Sequence, residues 1–348
     1  MKLKKISRSY LVLTTPKRKE LLQDGPPTPS RDQLLGRGSF GSVFRAIYRD
    51  NCVAVKIIRS HAMSTMPNEL HLLNLRHRNI VRLLKVESTQ KDGLLIMECP
   101  KGHTLQHILD SLSLPLMHRV IITLDVLAAL RYCHSHNILH LDVKPSNILV
   151  ALDTRTLTVR QFSNYKRNYL CKLCDFGSSM KMGEIDENIG NGNSGTLRYM
   201  SPEALRSTTL TAAADVYSLA ITMWQLENRQ MPYHWLTCNE VIAYQVVKHD
   251  LRPDYDYSNA ITSSCAIPCN CPSSTYKKSR RSLNFGQYNS NGLINYFENS
   301  SKYKQLDMEK SYGTLYKSCW VSDIELRLNS SQMKSHLEAI LIKLAGTF

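Results

Sequence analysis

The chain of 348 residues carries 44 Lys and Arg against 29 Asp and Glu, a formal net charge of +15, with 43% hydrophobic and 21% charged residues. That apolar fraction can fill a sizeable core and excludes wholesale disorder, and 15 glycines with 13 prolines exclude a collagen-like or low-complexity chain. The absence of any run of about 18 uncharged apolar residues excludes a spanning helix, and Tyr10–Leu13, behind Met1-Lys2-Leu3-Lys4-Lys5, is too short for a signal segment.

In chain order, residues 1–30 read as a flexible basic arm with a Pro-rich exit at Gly25-Pro26-Pro27-Thr28-Pro29. Residues 33–60 alternate as strands around a glycine cluster, and Val53-Ala54-Val55-Lys56-Ile57-Ile58 is a β-branched strand holding one lysine. A helix is expected over 67–76, with Pro67 near its start, then strands around Leu83–Glu87 and Leu94–Glu98. From about residue 104 the texture turns helical, with helices at 115–136, 214–228, 239–249 and 330–344. The expected fold class is α+β, with a small β-rich lobe over 31–97 and a large, mainly helical lobe over 98–345. Residues 151–170 and 258–315 lack periodicity and read as insertions.

The charge is unevenly placed. Residues 1–33 hold eight basic and three acidic residues, residues 151–174 five and one, and residues 258–318 eight and three. The body between them is nearly neutral, which weakens the nucleic-acid reading that a basic chain invites. Ten cysteines mostly stand alone in apolar segments, as reduced thiols of a cytoplasmic protein do. Cys265, Cys269 and Cys271 lack paired C-x-x-C spacing, which disfavours zinc.

The chemistry lies in four strings. Leu35-Gly36-Arg37-Gly38-Ser39-Phe40-Gly41-Ser42-Val43 contains G-x-G-x-x-G-x-V between two strands. A strand after the glycines, where a dinucleotide site needs a helix, favours a hairpin folded over phosphates; a plain tight turn is the alternative. Lys56 shares a strand face with Ala54, and Glu69 on the expected helix is placed to pair with it. In Ile138-Leu139-His140-Leu141-Asp142-Val143-Lys144-Pro145-Ser146-Asn147-Ile148-Leu149, Asp142 can accept a hydroxyl proton, Lys144 can neutralise a moving phosphoryl group, and Asn147 can offer oxygen to a metal. Asp175-Phe176-Gly177 adds a metal-binding carboxylate, and Ser201-Pro202-Glu203 and Asp215 follow.

In this order and spacing, the strings resemble the eukaryotic protein kinases over roughly 31–255 and 316–345. Leu141 stands where most of that superfamily has arginine, a feature similar to the Mos family of serine/threonine kinases. Leu75-Arg76-His77-Arg78-Asn79-Ile80-Val81 and Gly195-Thr196-Leu197-Arg198-Tyr199-Met200-Ser201-Pro202-Glu203 agree. The resemblance implies a bilobal fold binding ATP and Mg2+ in its cleft, with Met97 behind the adenine and Glu98 and Cys99 on the hinge. It implies a serine/threonine class from Lys144, Thr196 in the substrate groove, and structural roles for Asp215 and for an Arg327–Glu203 pair. It also implies a monomeric catalytic unit that phosphorylates a MAP kinase kinase in oocyte meiotic maturation. Leu141 removes a clamp for a phosphorylated loop, whose anchor would instead be Glu184, Asp186 and Glu187. The thirteen-residue gap from Lys56 to Glu69 is short for the family. It leaves a second reading, a pseudokinase or scaffold. A nucleic-acid-binding module is the third.

Overall fold

Alternation of β-branched and apolar residues between 34 and 98 produces five strands of a six-stranded sheet in the computed structural model, which describes residues 11–13, 34–38, 41–88, 92–159, 162–183, 197–254 and 306–345. Its strands are β1 (Leu11–Leu13), β2 (Leu34–Gly38), β3 (Gly41–Tyr48), β4 (Asn51–Ile58), β5 (Leu83–Ser88) and β6 (Gly93–Glu98). The order is β1-β3-β4-β6-β5, with β2 antiparallel to β3. Arg49 and Asp50, at φ 49° and 60°, make the tight turn between β3 and β4, because a two-residue hairpin matched to strand twist needs left-handed backbone at both positions. Val53, Val55 and Ile57 pack with Ala46, Tyr48 and Ile96 on one face. Ala54, Ile58, Leu95 and Met97 face the other way and join the main core. The period of two therefore puts Lys56 on the inner face with Ala54.

Two expectations for this lobe are corrected. Within the stretch read as a flexible arm, β1 pairs in parallel with Ala46–Tyr48; the apolar run 10–13 supplies the β-favouring residues. The helix expected over 67–76 is reduced to one α-turn, α1 (Met66–Glu69), between 3₁₀ turns at Ser60–Thr65 and Leu70–Leu73. A 3₁₀ turn advances about 2.0 Å per residue against about 1.5 Å for an α-helix, so a short connection covers more distance. Buried Leu72 and Leu75 anchor the end of this segment.

The large lobe begins with β7 (Gly102–Thr104), α2 (Leu105–Ser111) and α3 (Leu116–Ser135). Fourteen of the twenty residues of α3 are buried, so it is wrapped on nearly all sides, and its buried charges Arg119 and Asp125 are paired with Glu309 and Arg167. Then come β8 (Ile138–Leu139), β9 (Ile148–Val159), β10 (Phe162–Leu173) and β11 (Met180–Lys181), followed by α4 (Pro202–Leu205), α5 (Ala212–Asn228), α6 (Asn239–His249), α7 (Leu306–Cys319) and α8 (Ser330–Ala345). β9 and β10 pair antiparallel with β7 at one edge, and β11 pairs with β8. The segment 151–170, expected as a loop, continues these two strands. The stretch 258–315 ends earlier than expected. α7 starts at Leu306 because Met308, Tyr312 and Leu315 recur at helical spacing and are buried. The three cysteines at 265–271 lie outside the described residues.

Together these elements make the bilobal α+β architecture expected from the sequence, a sheet-rich small lobe and a mainly helical large one. The lobes are stitched by Val81 donating to the Leu173 carbonyl at 2.9 Å and Leu173 donating to the Asn79 carbonyl at 2.8 Å. Among the described residues, no helix is long and apolar enough to cross a membrane.

Candidate active site

The loop between β8 and β9 is held in a conformation its residues would not adopt alone. Leu141 sits at φ 61°, a region that disfavours a side chain by about 1–2 kcal/mol. Asp215, fully buried on α5, offsets that cost: it accepts from the His140 amide at 2.9 Å and the Leu141 amide at 2.8 Å, and bonds His134 Nε2 at 2.8 Å. Burial works against its charge, but these partners hold the Asp215 carboxyl below the ordinary range. His140 is buried and held neutral; its Nδ1 accepts from the Asp142 amide, so Nε2 carries the proton toward the Cys174 carbonyl at 3.2 Å. Phe176 meets the His140 ring edge-on at 4.7 Å. The turn thus fixes Asp142 from both sides.

The Leu141 side chain packs with Met182 and Met200 against a cluster of Leu139, Met180, Ala204, Leu210 and Ala214. Where most of the superfamily places a cation, this chain places an apolar plug. Leu141→Arg puts a guanidinium on that cluster and lowers unfolding stability by about 1–3 kcal/mol, measured as a shift of the urea midpoint. An unchanged midpoint would show that the plug has no packing role.

Asp142 is 3% exposed. Asn147 Nδ2 donates to its carbonyl at 2.9 Å and to Oδ2 at 2.7 Å, and Lys144 Nζ lies 2.8 Å from Oδ1. Burial pushes the Asp142 carboxyl up, with Lys144 pulling the other way. Asp175, at φ 64°, lies across the cleft with Lys56 Nζ 2.6 Å from its Oδ1. Burial opposes the Asp175 charge, but Lys56 keeps its carboxyl below the usual range. Lys56 also forms an ion pair with buried Glu69. Burial opposes the lysine charge, yet the Asp175 and Glu69 carboxylates outweigh it and keep Lys56 protonated. The one-turn α1 therefore does not prevent the Lys56–Glu69 pair.

Three hydrogen bonds that the sequence gives no sign of hold α1 in place. Asn68 Nδ2 donates to the Gly177 carbonyl at 3.0 Å, Ser179 Oγ donates to the Asn68 carbonyl at 3.0 Å, and His71 Nδ1 meets Ser179 Oγ at 2.8 Å. The segment carrying Asp175 and the segment carrying Glu69 are pinned together, which substitutes for the rigidity a longer helix would supply.

The roof of the cleft is the β2–β3 hairpin. Gly38 and Gly41 close its tip as a register pair, and Val43 lies opposite Lys56. A Cβ on Gly41 would stand 2.0 Å from the Ile57 carbonyl oxygen, whereas one on Gly36 would meet nothing within 4 Å. Gly41 is thus required by the sheet, and Gly36 keeps the approach to the roof open. Leu35 is 43% exposed, and Arg37 is paired in register with Ser42. Ala54 pairs with Met97, both buried. The Glu98 carboxylate is committed to Lys172 at 2.7 Å and to the Arg82 amide at 2.9 Å, so this side chain props the hinge instead of facing a ligand. Cys174 is packed beside Asn147, and burial pushes its thiol far up, which makes it a lining residue and not a nucleophile. Ser39, Phe40 and Thr196, with Glu184, Asp186 and Glu187, lie outside the described residues.

A hard divalent cation fits the donors present. With its amide nitrogen committed to Asp142, Asn147 has Oδ1 to offer, and Asp175 has Oδ2. Among the described residues no three His, Cys, Asp or Glu cluster as a closed metal cage. An amide oxygen and one carboxylate completed by phosphate oxygens is a coordination set that suits Mg2+ and not zinc.

The family model described as the protein kinase domain matches residues 30–337. The chain is 33% identical over 241 residues to the serine/threonine-protein kinase mos of Xenopus laevis, covering 63% of this chain and 62% of that protein. It is 34% identical over 239 residues to the same-named protein of Patiria pectinifera, covering 64% of each. It is 31% identical over 247 residues to the proto-oncogene serine/threonine-protein kinase mos of Sus scrofa, covering 64% of this chain and 67% of that protein. The chain thus spans about 62% of the length of the Xenopus relative. On the matched domain and the paired geometry of its cleft, the chain belongs to the protein kinase domain family and is similar within it to the Mos serine/threonine kinases.

Proposed function

We propose that this chain transfers the γ-phosphate of ATP to serine and threonine hydroxyls of a MAP kinase kinase, and acts in the cytoplasm, as a monomeric catalytic unit, in oocyte meiotic maturation. The observation that carries the transfer reaction is Lys56 bridging Glu69 and Asp175 across the cleft from the Asp142–Asn147 pair. The likeness to Mos proteins supports the substrate and the setting.

In this reading Lys56 binds and orients the phosphates under the β2–β3 roof, and the backbone at Gly36 and Gly38 approaches them. Leu35, Val43, Ala54 and Met97 enclose the adenine, with the backbone at Glu98 and Cys99 along its edge. Asp142 orients the acceptor hydroxyl and takes its proton, while Lys144 faces the charge on the transferred group. Asn147 and Asp175 hold Mg2+, which when bound neutralises phosphate charge. The pseudokinase reading draws on the one-turn α1, and the intact Lys56–Glu69 pair weighs against it.

The test is incubation of the full chain with ATP, Mg2+ and a catalytically dead MAP kinase kinase, followed by mass-spectrometric mapping. Phosphate on serine or threonine of that protein is expected. Phosphorylation of a general substrate but not of the MAP kinase kinase would refute the substrate while leaving the kinase standing.

A further inference from the structure

The register of β4 and β6 places two cysteines side by side at the mouth of the cleft. Val53 pairs with Glu98, Ala54 with Met97 and Lys56 with Leu95. One step outward along the same ladder brings Cys52 opposite Cys99. The period of two puts both on the face that carries Ala54, Lys56 and Met97, and Cys99 packs against the main core on that side. Directly opposed residues have Cβ atoms about 4.5–5.5 Å apart, close to the roughly 3.5–4.5 Å that a disulfide spans. The two thiols lie within interaction range of each other, and the Arg45 guanidinium, on β3 opposite Ala54, reaches Cys99 as well.

The pair is distinct among the cysteines of the described residues. Buried Cys133, Cys171 and Cys319 interact with Asp215, with Asp125 and Arg167, and with Arg327, in that order. Cys52 is exposed and Cys99 is part-buried. Burial pushes the Cys99 thiol up to about 11, so it stays protonated at neutral pH and is the poorer first nucleophile. The two thiols therefore have different parts to play.

We propose that Cys52 and Cys99 form a dithiol site that a hydroperoxide closes to a cross-strand disulfide, and that closure weakens nucleotide binding in the adjoining cleft. The exposed Cys52 sulfur attacks a peroxide oxygen. The S–O bond forms, the O–O bond breaks, and the departing oxygen leaves as water or alcohol. Cys99 sulfur then attacks the Cys52 sulfenic sulfur; the S–S bond forms, the S–O bond breaks, and the hydroxide leaves with the Cys99 proton as water. Two thiols lose two electrons and one peroxide gains them. The bond ties the start of β4 to the strand end at which the chain leaves for the large lobe. Closure draws the two Cβ atoms together by about 1 Å, which shifts the backbone at Glu98 and Cys99 that the ATP reading lays along the adenine edge. A thiol reductant reopens it.

The binding half of this proposal rests on the reading of the cleft as an ATP site, and the experiment separates the two. Full-length protein is treated with hydrogen peroxide, alkylated without reduction, and digested; in parallel, a fluorescent ATP analogue is titrated. The expected result is a linked peptide joining Cys52 and Cys99, a Kd raised about tenfold, which corresponds to about 1.4 kcal/mol, and reversal of both by dithiothreitol. Cys52→Ser, at an exposed position to which the ATP reading gives no part in binding, is expected to bind nucleotide as the reduced wild type does and to keep that affinity under peroxide. Cys52 trapped as a sulfenic acid with no linked peptide would overturn the proposal. So would a linked peptide with an unchanged Kd, or an equal loss of binding in Cys52→Ser. Reduced wild type that fails to bind the analogue would instead refute the ATP reading, and the linked peptide would still report on the dithiol.

Discussion

Asp142→Asn is expected to lower kcat for phosphate transfer by about 10²–10⁴-fold while the circular dichroism spectrum and thermal midpoint stay near those of the wild type. The substitution keeps the shape of a side chain that is 3% exposed, and an amide oxygen can still accept from Asn147 Nδ2 or Lys144 Nζ. What it removes is the ability to take a proton from the acceptor hydroxyl. The pH dependence carries the same signature. Burial raises the Asp142 carboxyl above its ordinary value, with Lys144 opposing. A raised carboxyl protonates at a higher pH than an exposed aspartate does, so kcat/KM falls on the acid side while ordinary carboxylates are still charged. In Asp142→Asn that limb disappears from whatever activity remains. A pH–rate profile with the same acid limb in both proteins would assign the limb, and the base, to another group.

Arg327→Ala is expected to cost about 3–5 kcal/mol of unfolding stability, read from urea denaturation. Arg327 and Glu203 are almost wholly buried; Nη1 and Nη2 meet the Glu203 carboxylate at 2.5 and 3.0 Å. The same guanidinium donates to the Val321 carbonyl at 2.8 Å and the Ala213 carbonyl at 3.0 Å, and its carbon lies 5.2 Å from the Tyr217 ring centre. Truncation leaves a carboxylate in the core without its charge partner and three carbonyl contacts unmet, the Ser322 carbonyl at 3.4 Å being the weakest. The effect on transfer is expected to be indirect. Glu203 opens α4 and Ala213 lies in the first turn of α5, two residues before Asp215. Measured below the unfolding transition, kcat should fall far less than in Asp142→Asn. A loss of stability under about 1 kcal/mol would place the pair in the class of solvent-screened ion pairs.

The parts of the site that were legible in advance are those whose chemistry is local. Asp142, Lys144 and Asn147 fall within six residues, and the backbone bends so tightly there that their proximity needs no tertiary information. The strand faces were legible for the same reason, since a period of two carries Ala54 and Lys56 to one side. The helix that should carry Glu69 was not. Its apolar residues suit an α-helix, but the short connection from β4 is built largely of 3₁₀ turns, which advance further per residue. The ties from Asn68 and His71 to Gly177 and Ser179 span more than a hundred residues and involve residue types common on any surface. The apposition of Cys52 and Cys99 depends on the register of two strands some forty residues apart, which composition does not encode. The start of α7 was missed because a polar stretch runs straight into its first turn, where Met308 is the first buried residue of the helical repeat that Tyr312, Leu315, Tyr316 and Cys319 continue.

The measurement that bears most directly on the central claim is transfer of label from γ-³²P-ATP to a protein substrate by the purified full chain with Mg2+, followed by phosphoamino-acid analysis. The account predicts label on phosphoserine and phosphothreonine, and loss of that label in Asp142→Asn preparations that still bind nucleotide. Label in wild type no greater than in Asp142→Asn, from protein shown to be folded and loaded with ATP, would contradict it.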